Sequence, residues 1–158
     1  MRRWVIALWL LSSPAMAQDA PAPPQAKGFT PGFDDLMTML IQPRHIKLYE
    51  AGQARNWELA AAEARNLRQA FDRIAVAIPG YLGNDVKGAV ANLMAPALKS
   101  VDDAIAHGDP KAFTAAYKDV TDGCNACHTF MERPFLVMKV PDGKRERAYP
   151  DQDFKPRP

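Results

Sequence analysis

The sequence has few of the residues that build covalently linked or metal-held folds. Among its 158 residues there are only two cysteines and three histidines. Two cysteines cannot form the framework of several disulfides that stabilises many small secreted domains, nor a four-cysteine zinc site. The fold must therefore be stabilised by burial of apolar side chains, for which a chain of this length is sufficient.

The chain also lacks a large excess of one charge. Lysine and arginine total 20, and aspartate and glutamate total 18. Two of the basic residues, Arg2 and Arg3, lie at the very start, which leaves 18 of each sign in the rest. This balance argues against nucleic acid or an anionic membrane surface as the partner.

No apolar run is long enough to span a bilayer. Residues 4–11 form the longest predicted apolar segment, well short of the roughly 20 residues required. With Arg2 and Arg3 before it and Ala15-Met16-Ala17 after it, this run has the pattern of a signal peptide over residues 1–17. We therefore expect export to the periplasm, cleavage after about Ala17 and no membrane anchor. Residues 18–32 are rich in proline and are expected to form a mobile leader.

The two cysteines lie three positions apart and a histidine follows them, in Cys124-Asn125-Ala126-Cys127-His128. This is the spacing of a c-type haem attachment site. Residues three or four apart share one face of a helix, so both thiols can reach the vinyl groups at one porphyrin edge. His128 projects from the same side and is the predicted proximal iron ligand. The motif predicts one haem c per chain, bound through thioethers to Cys124 and Cys127.

Three other uses of these cysteines fit the sequence less well. A thioredoxin-like dithiol normally follows a strand in a βαβ unit, and no such unit is predicted. A zinc site needs two further ligands, and the remaining histidines, His45 and His107, are distant in sequence. A disulfide across two intervening residues closes too small a loop to stabilise much.

Apolar periodicity predicts four helices between residues 31 and 132. The first covers about 31–51, with a kink or break at Pro43. The second begins after the N-cap Asn56, and the third opens near residue 84 with a bend at Pro96. The fourth follows the N-cap Asp109. No internal repeat is evident.

The inward-facing residues of the fourth helix include both cysteines. They are Phe113, Tyr117, Val120, Cys124, Cys127 and Met131. A haem attached there belongs in the protein interior, so the predicted fold is all-α, an antiparallel up-down-up-down four-helix bundle carrying the haem on its last helix. The haem domain is expected over residues 33–132. Residues 133–158 are expected to form an extended, Pro-rich tail, with residues 135–140 lying over the domain.

Four helices with a late Cys-Asn-Ala-Cys-His motif make residues 31–132 resemble the cytochromes c′, the class II c-type cytochromes, or a sister family of small exported haem proteins. The chain departs from that pattern at Glu132, where cytochromes c′ usually have a basic residue; Arg133 is one position further on. The resemblance implies a five-coordinate iron that binds nitric oxide or carbon monoxide, and pairing of two copies into a homodimer.

The residue facing His128 across the haem decides between functions. The first helix is expected to run antiparallel to the fourth, which brings the level of residues 36–41 opposite His128. Met37 is therefore one candidate distal ligand, and His45 is the other. If neither coordinates, an open distal side lined by Met37, Leu40 and Ile41 remains. Three arginines are candidate partners of the haem propionates: Arg44, Arg68 and Arg133.

The favoured hypothesis is a periplasmic electron carrier with a redox protein as its partner, without catalytic residues of its own. The alternative is a gas-binding haem protein with an open sixth position. A thiol oxidoreductase using Cys124 and Cys127 is a less favoured hypothesis, and a peroxidase using Arg44 and His45 is weaker still.

Overall fold

The computed structural model describes residues 31–142 and the backbone of residues 152–153. Within these residues the protein is all-α, with only short strands in addition, as predicted. Six α-helices are present in the described part: α1 Phe33–Leu36, α2 Gln42–Gln53, α3 Trp57–Ala77, α4 Val86–Ala89, α5 Ala95–Ala106 and α6 Pro110–Phe130. The predicted signal peptide, most of the leader and most of the tail lie outside the described residues.

Two five-residue π-turns join four of these helices into two longer ones. Met37–Ile41 connects α1 to α2, and Val90–Met94 connects α4 to α5, with helical backbone throughout. Each π-turn ends two residues before a proline, Pro43 or Pro96. A proline cannot donate the backbone hydrogen bond and its ring would clash with the preceding turn. The wider turn removes both problems, so the helical backbone continues past each proline. The kink or break predicted at Pro43 and the bend predicted at Pro96 correspond in position to these changes of helix type.

The helices pack around one apolar core. Helix α2 contacts α3, α5 contacts α6, and the two pairs meet where α3 contacts α5 and α2 contacts α6. The inner side chains predicted for the fourth helix are all buried. Large, fully buried side chains from every long helix fill the centre, among them Leu48, Leu67, Ile74, Val101 and Val120.

The short strands lie after α3 and after α6. Gly80–Tyr81 (β1) pairs with Asn84–Asp85 (β2) in an antiparallel hairpin. Val137–Met138 (β3) pairs with Gln152–Asp153 (β4), with Val137 opposite Asp153. Among the described residues, no helix combines the length and the apolar character needed to cross a bilayer.

The helical elements occur twice, at a constant offset. Residues 33–77, the first half, and residues 86–130, the second half, contain the same succession of helix, π-turn, helix, connection and long helix, 53 positions apart (Phe33 to Val86). The connecting turns also correspond, because Arg55 and Gly108 occupy equivalent positions and both have positive φ, 56° and 61°. An internal structural repeat is therefore present. The sequence did not reveal it because few equivalent residues are identical, the two prolines among them.

The two long helices begin with equivalent side-chain caps, as predicted. The Asn56 side chain accepts a hydrogen bond from the Leu59 N–H at 3.1 Å. The Asp109 carboxylate accepts from the N–H groups of Lys111 and Ala112, at 2.8 and 3.1 Å. These bonds satisfy backbone donors that have no partner within the first helical turn.

Candidate functional site

The motif residues lie together on the last turns of α6. Cys124 and Cys127 are buried and not bonded to each other, and His128 is half-buried beside them. All three line a single cavity of about 330 Å³. The burial follows from the helical spacing, which continues the inner face formed by Phe113, Tyr117 and Val120.

The cavity walls come from several parts of the fold and are mostly apolar. The first helix supplies one wall with Phe33, Met37 and Ile41, together with the polar residues Gln42 and His45. The motif and the residues after α6 supply a further part of the lining. The remaining lining side chains include Phe71, Tyr81, Met94, Met131, Phe135 and Met138.

The tautomer of His128 is fixed by a backbone carbonyl. Its Nδ1 lies 2.6 Å from the Leu136 oxygen. A carbonyl can only accept a hydrogen bond, so Nδ1 carries the proton and, in the neutral ring, Nε2 holds the free electron pair. Burial lowers the pKa of His128, and the hydrogen bond to Leu136 opposes this shift to a smaller extent. A neutral imidazole with an available Nε2 is the form that binds a metal.

The environment of Cys127 does not activate its thiol. Burial raises the pKa of the Cys127 thiol above its ordinary value. The nucleophile in thiol–disulfide chemistry is the thiolate, which needs a lowered pKa and access to solvent. At neutral pH the Cys127 side chain therefore remains a thiol.

The chain turns back over the motif immediately after α6. Glu132, with φ of 60°, ends the helix, and the Arg133 N–H donates to the His128 carbonyl at 2.7 Å. Residues 134–138, here called the strap, follow, and Phe135, Leu136 and Met138 of this segment line the cavity. The sequence predicted an extended segment in this region, and the structure adds its attachment to Asn125, which lies between the two cysteines.

The two candidate distal ligands differ in their surroundings. Met37 is half-buried in the first π-turn and lines the cavity. His45 also lines it but is only 1% exposed, with its ring stacked on Tyr117 at 4.7 Å between centroids. Its Nε2 lies 3.2 Å from the Thr121 hydroxyl.

A closed set of hydrogen bonds joins His45 to α6. The Thr121 hydroxyl donates to the Tyr117 carbonyl at 3.0 Å, so it accepts at its oxygen from the His45 Nε2–H. The Tyr117 hydroxyl in turn donates to the His45 carbonyl at 2.9 Å. His45 Nε2 is therefore used in holding α2 against α6.

Only one of the three candidate arginines lines the cavity. Arg133 is there, donating to the Tyr81 hydroxyl at 2.9 Å with its guanidinium carbon 5.4 Å from the centre of that ring. Arg68 instead pairs with Asp102 of α5. Arg44 donates to the Leu40 carbonyl at 2.6 Å.

Two contributors to this site were not predicted from the sequence. The first is Tyr81, from the hairpin after α3, and the second is the Leu136 carbonyl. A carbonyl leaves no signature in a sequence, because every residue has one. Tyr81 lies far from the motif along the chain, and no pattern links the two.

No protein-family model, curated protein or solved structure matches this chain. Within residues 31–142, no three histidine, cysteine, aspartate or glutamate side chains are grouped in a way that would hold a metal ion. The functional assignment therefore depends on the motif and on the geometry around it.

Proposed function

We propose that this protein is an exported c-type cytochrome that transfers single electrons through one haem c, with Cys124 and Cys127 as the thioether residues and His128 as the proximal ligand. The observation that carries the proposal is the state of His128. The Leu136 carbonyl accepts a hydrogen bond from Nδ1–H, with 2.6 Å between nitrogen and oxygen, so Nε2 is the nitrogen left to bind iron, beside two thiols in one cavity.

The lining residues fit the group chemically. The cavity volume lies within the roughly 300–1,000 Å³ typical of cofactor pockets. Its walls are mostly apolar and include four aromatic and four methionine side chains, which suit an apolar macrocycle, and Arg133 offers a guanidinium for a propionate. When bound, the haem would supply a one-electron iron couple whose potential depends on the axial ligands, hydrogen bonds and burial.

The arrangement of helices supports an antiparallel four-helix bundle as the scaffold. There are four long helical segments in the described part of the chain: residues 33–53, α3, residues 86–106 and α6. Short segments connect them, and each contacts two of the others. Short connections favour antiparallel neighbours. In such a bundle the first helix and α6 face each other across the cavity, which is where Met37 and His128 are found.

Met37 is the proposed sixth ligand in preference to His45. Nε2 of His45 is used in the hydrogen bond to Thr121 within a buried, closed set of bonds. The Met37 thioether lines the cavity from a π-turn, and such turns often occur at functional sites. A haem held between two protein ligands changes oxidation state with little rearrangement, which suits electron transfer.

The second candidate function is binding of a small gas at an open sixth position. The observation that favours it is the apolar wall formed by Phe33, Met37 and Ile41 while His45 is held by Thr121. Thiol oxidoreductase chemistry is not proposed, because burial raises the pKa of Cys127.

The expected setting is the periplasm, with a redox protein as partner. This part of the proposal depends on the signal-peptide pattern of residues 1–17 and on the balanced charge. A homodimer remains an expectation from the resemblance to cytochromes c′.

The test is to express the full chain in a host that attaches haem c. Mass spectrometry should find a covalent haem on the peptide containing residues 124–128. The double variant Cys124→Ser/Cys127→Ser should lack the adduct and serves as the control. An unmodified wild-type peptide would refute the proposal.

Absorption and EPR spectra then decide the sixth ligand. Met37→Leu should convert a low-spin, six-coordinate spectrum to a five-coordinate one, whereas His45→Leu should leave the coordination number unchanged. A five-coordinate wild-type spectrum that Met37→Leu does not alter would favour the gas-binding function instead.

A further inference from the structure

The strap is attached to the motif through its backbone. The Asn125 Nδ2 donates to the Met138 carbonyl at 2.9 Å, and the Met138 N–H donates to the Asn125 Oδ1 at 2.8 Å. Two positions earlier on the strap, the Leu136 carbonyl accepts from His128. Asn125 and His128 are three apart on α6 and share a face, so one segment of extended chain can contact both.

We propose that Asn125 is a positioning residue: by holding the strap at Met138, it places the Leu136 carbonyl where it accepts the Nδ1 proton of His128, and so sets the strength of His128 as an iron ligand. This inference rests on the proposed function, because the ligand strength of His128 matters only if a haem is bound.

The chemistry of the hydrogen bond gives the direction of the effect. A carbonyl that accepts from Nδ1–H withdraws positive charge from the ring and makes Nε2 a better donor. A better donor favours the oxidised metal, which carries more positive charge. The Leu136 carbonyl therefore lowers the reduction potential, and loss of its hydrogen bond should raise it.

A carboxamide suits position 125 because it has both a donor and an acceptor. Asn125 can therefore pair with both the N–H and the carbonyl of Met138, whereas aspartate offers only acceptors and leucine offers neither. The strap is also paired with Gln152–Asp153, but that pairing involves another strand and does not replace the contacts to α6.

The experiment compares Asn125→Leu with wild type in the full-length, haem-loaded protein. The matched control is Asn66→Leu, because Asn66 is exposed on α3 and does not line the cavity. Two quantities are measured: the reduction potential, and the rate of amide hydrogen exchange at Met138. Circular dichroism confirms that each variant is folded.

Asn125→Leu should raise the ratio of reduced to oxidised protein about tenfold at a fixed applied potential, which is about 59 mV for a one-electron couple. It should also accelerate exchange at the Met138 amide, since that N–H loses its acceptor. Asn66→Leu should change neither quantity.

An unchanged potential in Asn125→Leu would overturn the inference. A shifted potential without faster exchange at Met138 would overturn it too, because the effect would then not pass through the strap. If Asn125→Leu does not fold, the smaller and uncharged Asn125→Ala decides: it lacks both the donor and the acceptor of the carboxamide, and should raise the potential and accelerate exchange at Met138 in the same way.

The two proposals can fail separately. Wild-type protein without haem on residues 124–128 would refute the proposed function and this inference together. Wild-type protein with haem, but with the same potential as Asn125→Leu, would refute only the role of Asn125.

Discussion

The two halves of the molecule have the same architecture, yet only one contains the motif. Cys124, Cys127 and His128 of the second half occupy the positions held in the first half by Phe71, Ile74 and Ala75. At the first two of these positions the side chain is buried in both halves: Phe71 and Cys124 at one, Ile74 and Cys127 at the other. The repeat therefore provides an inward-facing position, and the side chain placed there determines whether it serves packing or chemistry.

The halves also differ at a buried hydrogen bond. The first half contributes His45 from α2, where the second half has the apolar Leu98, and the second half contributes Thr121 from α6, where the first has Arg68. The buried hydrogen bond between His45 and Thr121 thus has no equivalent on the other side of the repeat.

The largest expected effect on stability concerns the close contact between Gly52 of the first half and Phe113 of the second. A Cβ added at Gly52 would lie 2.0 Å from the Phe113 ring, whereas the position equivalent to Gly52 holds Ile105 and the position equivalent to Phe113 holds Ala60. The halves therefore exchange large and small side chains. Gly52→Ala should lower the free energy of unfolding by about 3 kcal/mol, because the ring must move within a packed core.

Chemical denaturation measures this change. Gly80→Ala is the control, since its added Cβ would meet nothing closer than 3.7 Å, and it should be nearly neutral. Phe113→Leu should partly rescue Gly52→Ala. Equal stability of wild type and Gly52→Ala would show that the packing of Phe113 does not require a glycine at position 52.

A smaller effect is expected at the hydrogen bond between the halves. Thr121→Val removes the acceptor of the buried His45 Nε2–H, which should cost about 2 kcal/mol. In the background of His45→Leu, the residue found at the equivalent position, the same substitution should cost much less. Thr114→Val is the matched control, because the Thr114 hydroxyl bonds the Pro110 carbonyl on an exposed face of the same helix. An equal cost of Thr121→Val in both backgrounds would contradict the assigned hydrogen bond.

The smallest expected effect is a difference between the two N-caps, Asp109 and Asn56, in how their contribution to stability depends on pH. Hydrogen bonds from the Ala112 and Lys111 N–H groups lower the pKa of Asp109 below its ordinary value of 3.8. Its capping contribution is therefore present above the unfolded-state pKa and is lost as the pH falls through the lower, folded-state pKa. Asn56, the equivalent cap, does not titrate. Thermal melts from about pH 6 to about pH 2 should show Asp109→Asn to be less acid-sensitive than wild type.

The reciprocal change sharpens the same comparison. Asn56→Asp should give the first half the acid sensitivity that the second half has, with little change at neutral pH. If Asp109→Asn melts in parallel with wild type over the whole range, the Asp109 cap is not coupled to stability.

Periodicity and capping residues were sufficient to predict the all-α fold, the starts of α3 and α6, and the burial of the inner side chains of α6. Pro43 and Pro96 were predicted to kink, divide or bend their helices, and a change of helix type does occur beside each of them. The form of that change, a π-turn ending two residues before each proline, was not predicted. The repeat was missed because its conformation is conserved by packing rather than by residue identity.

The sequence by itself determined that two thiols and an imidazole lie on one helical face, because helix geometry is local. Only the tertiary structure decided what surrounds them. The Leu136 carbonyl on His128, the Asn125 pairing with Met138 and the burial of His45 against Thr121 all join residues whose proximity depends on how the chain folds back, and backbone groups that accept such bonds are the same in every sequence.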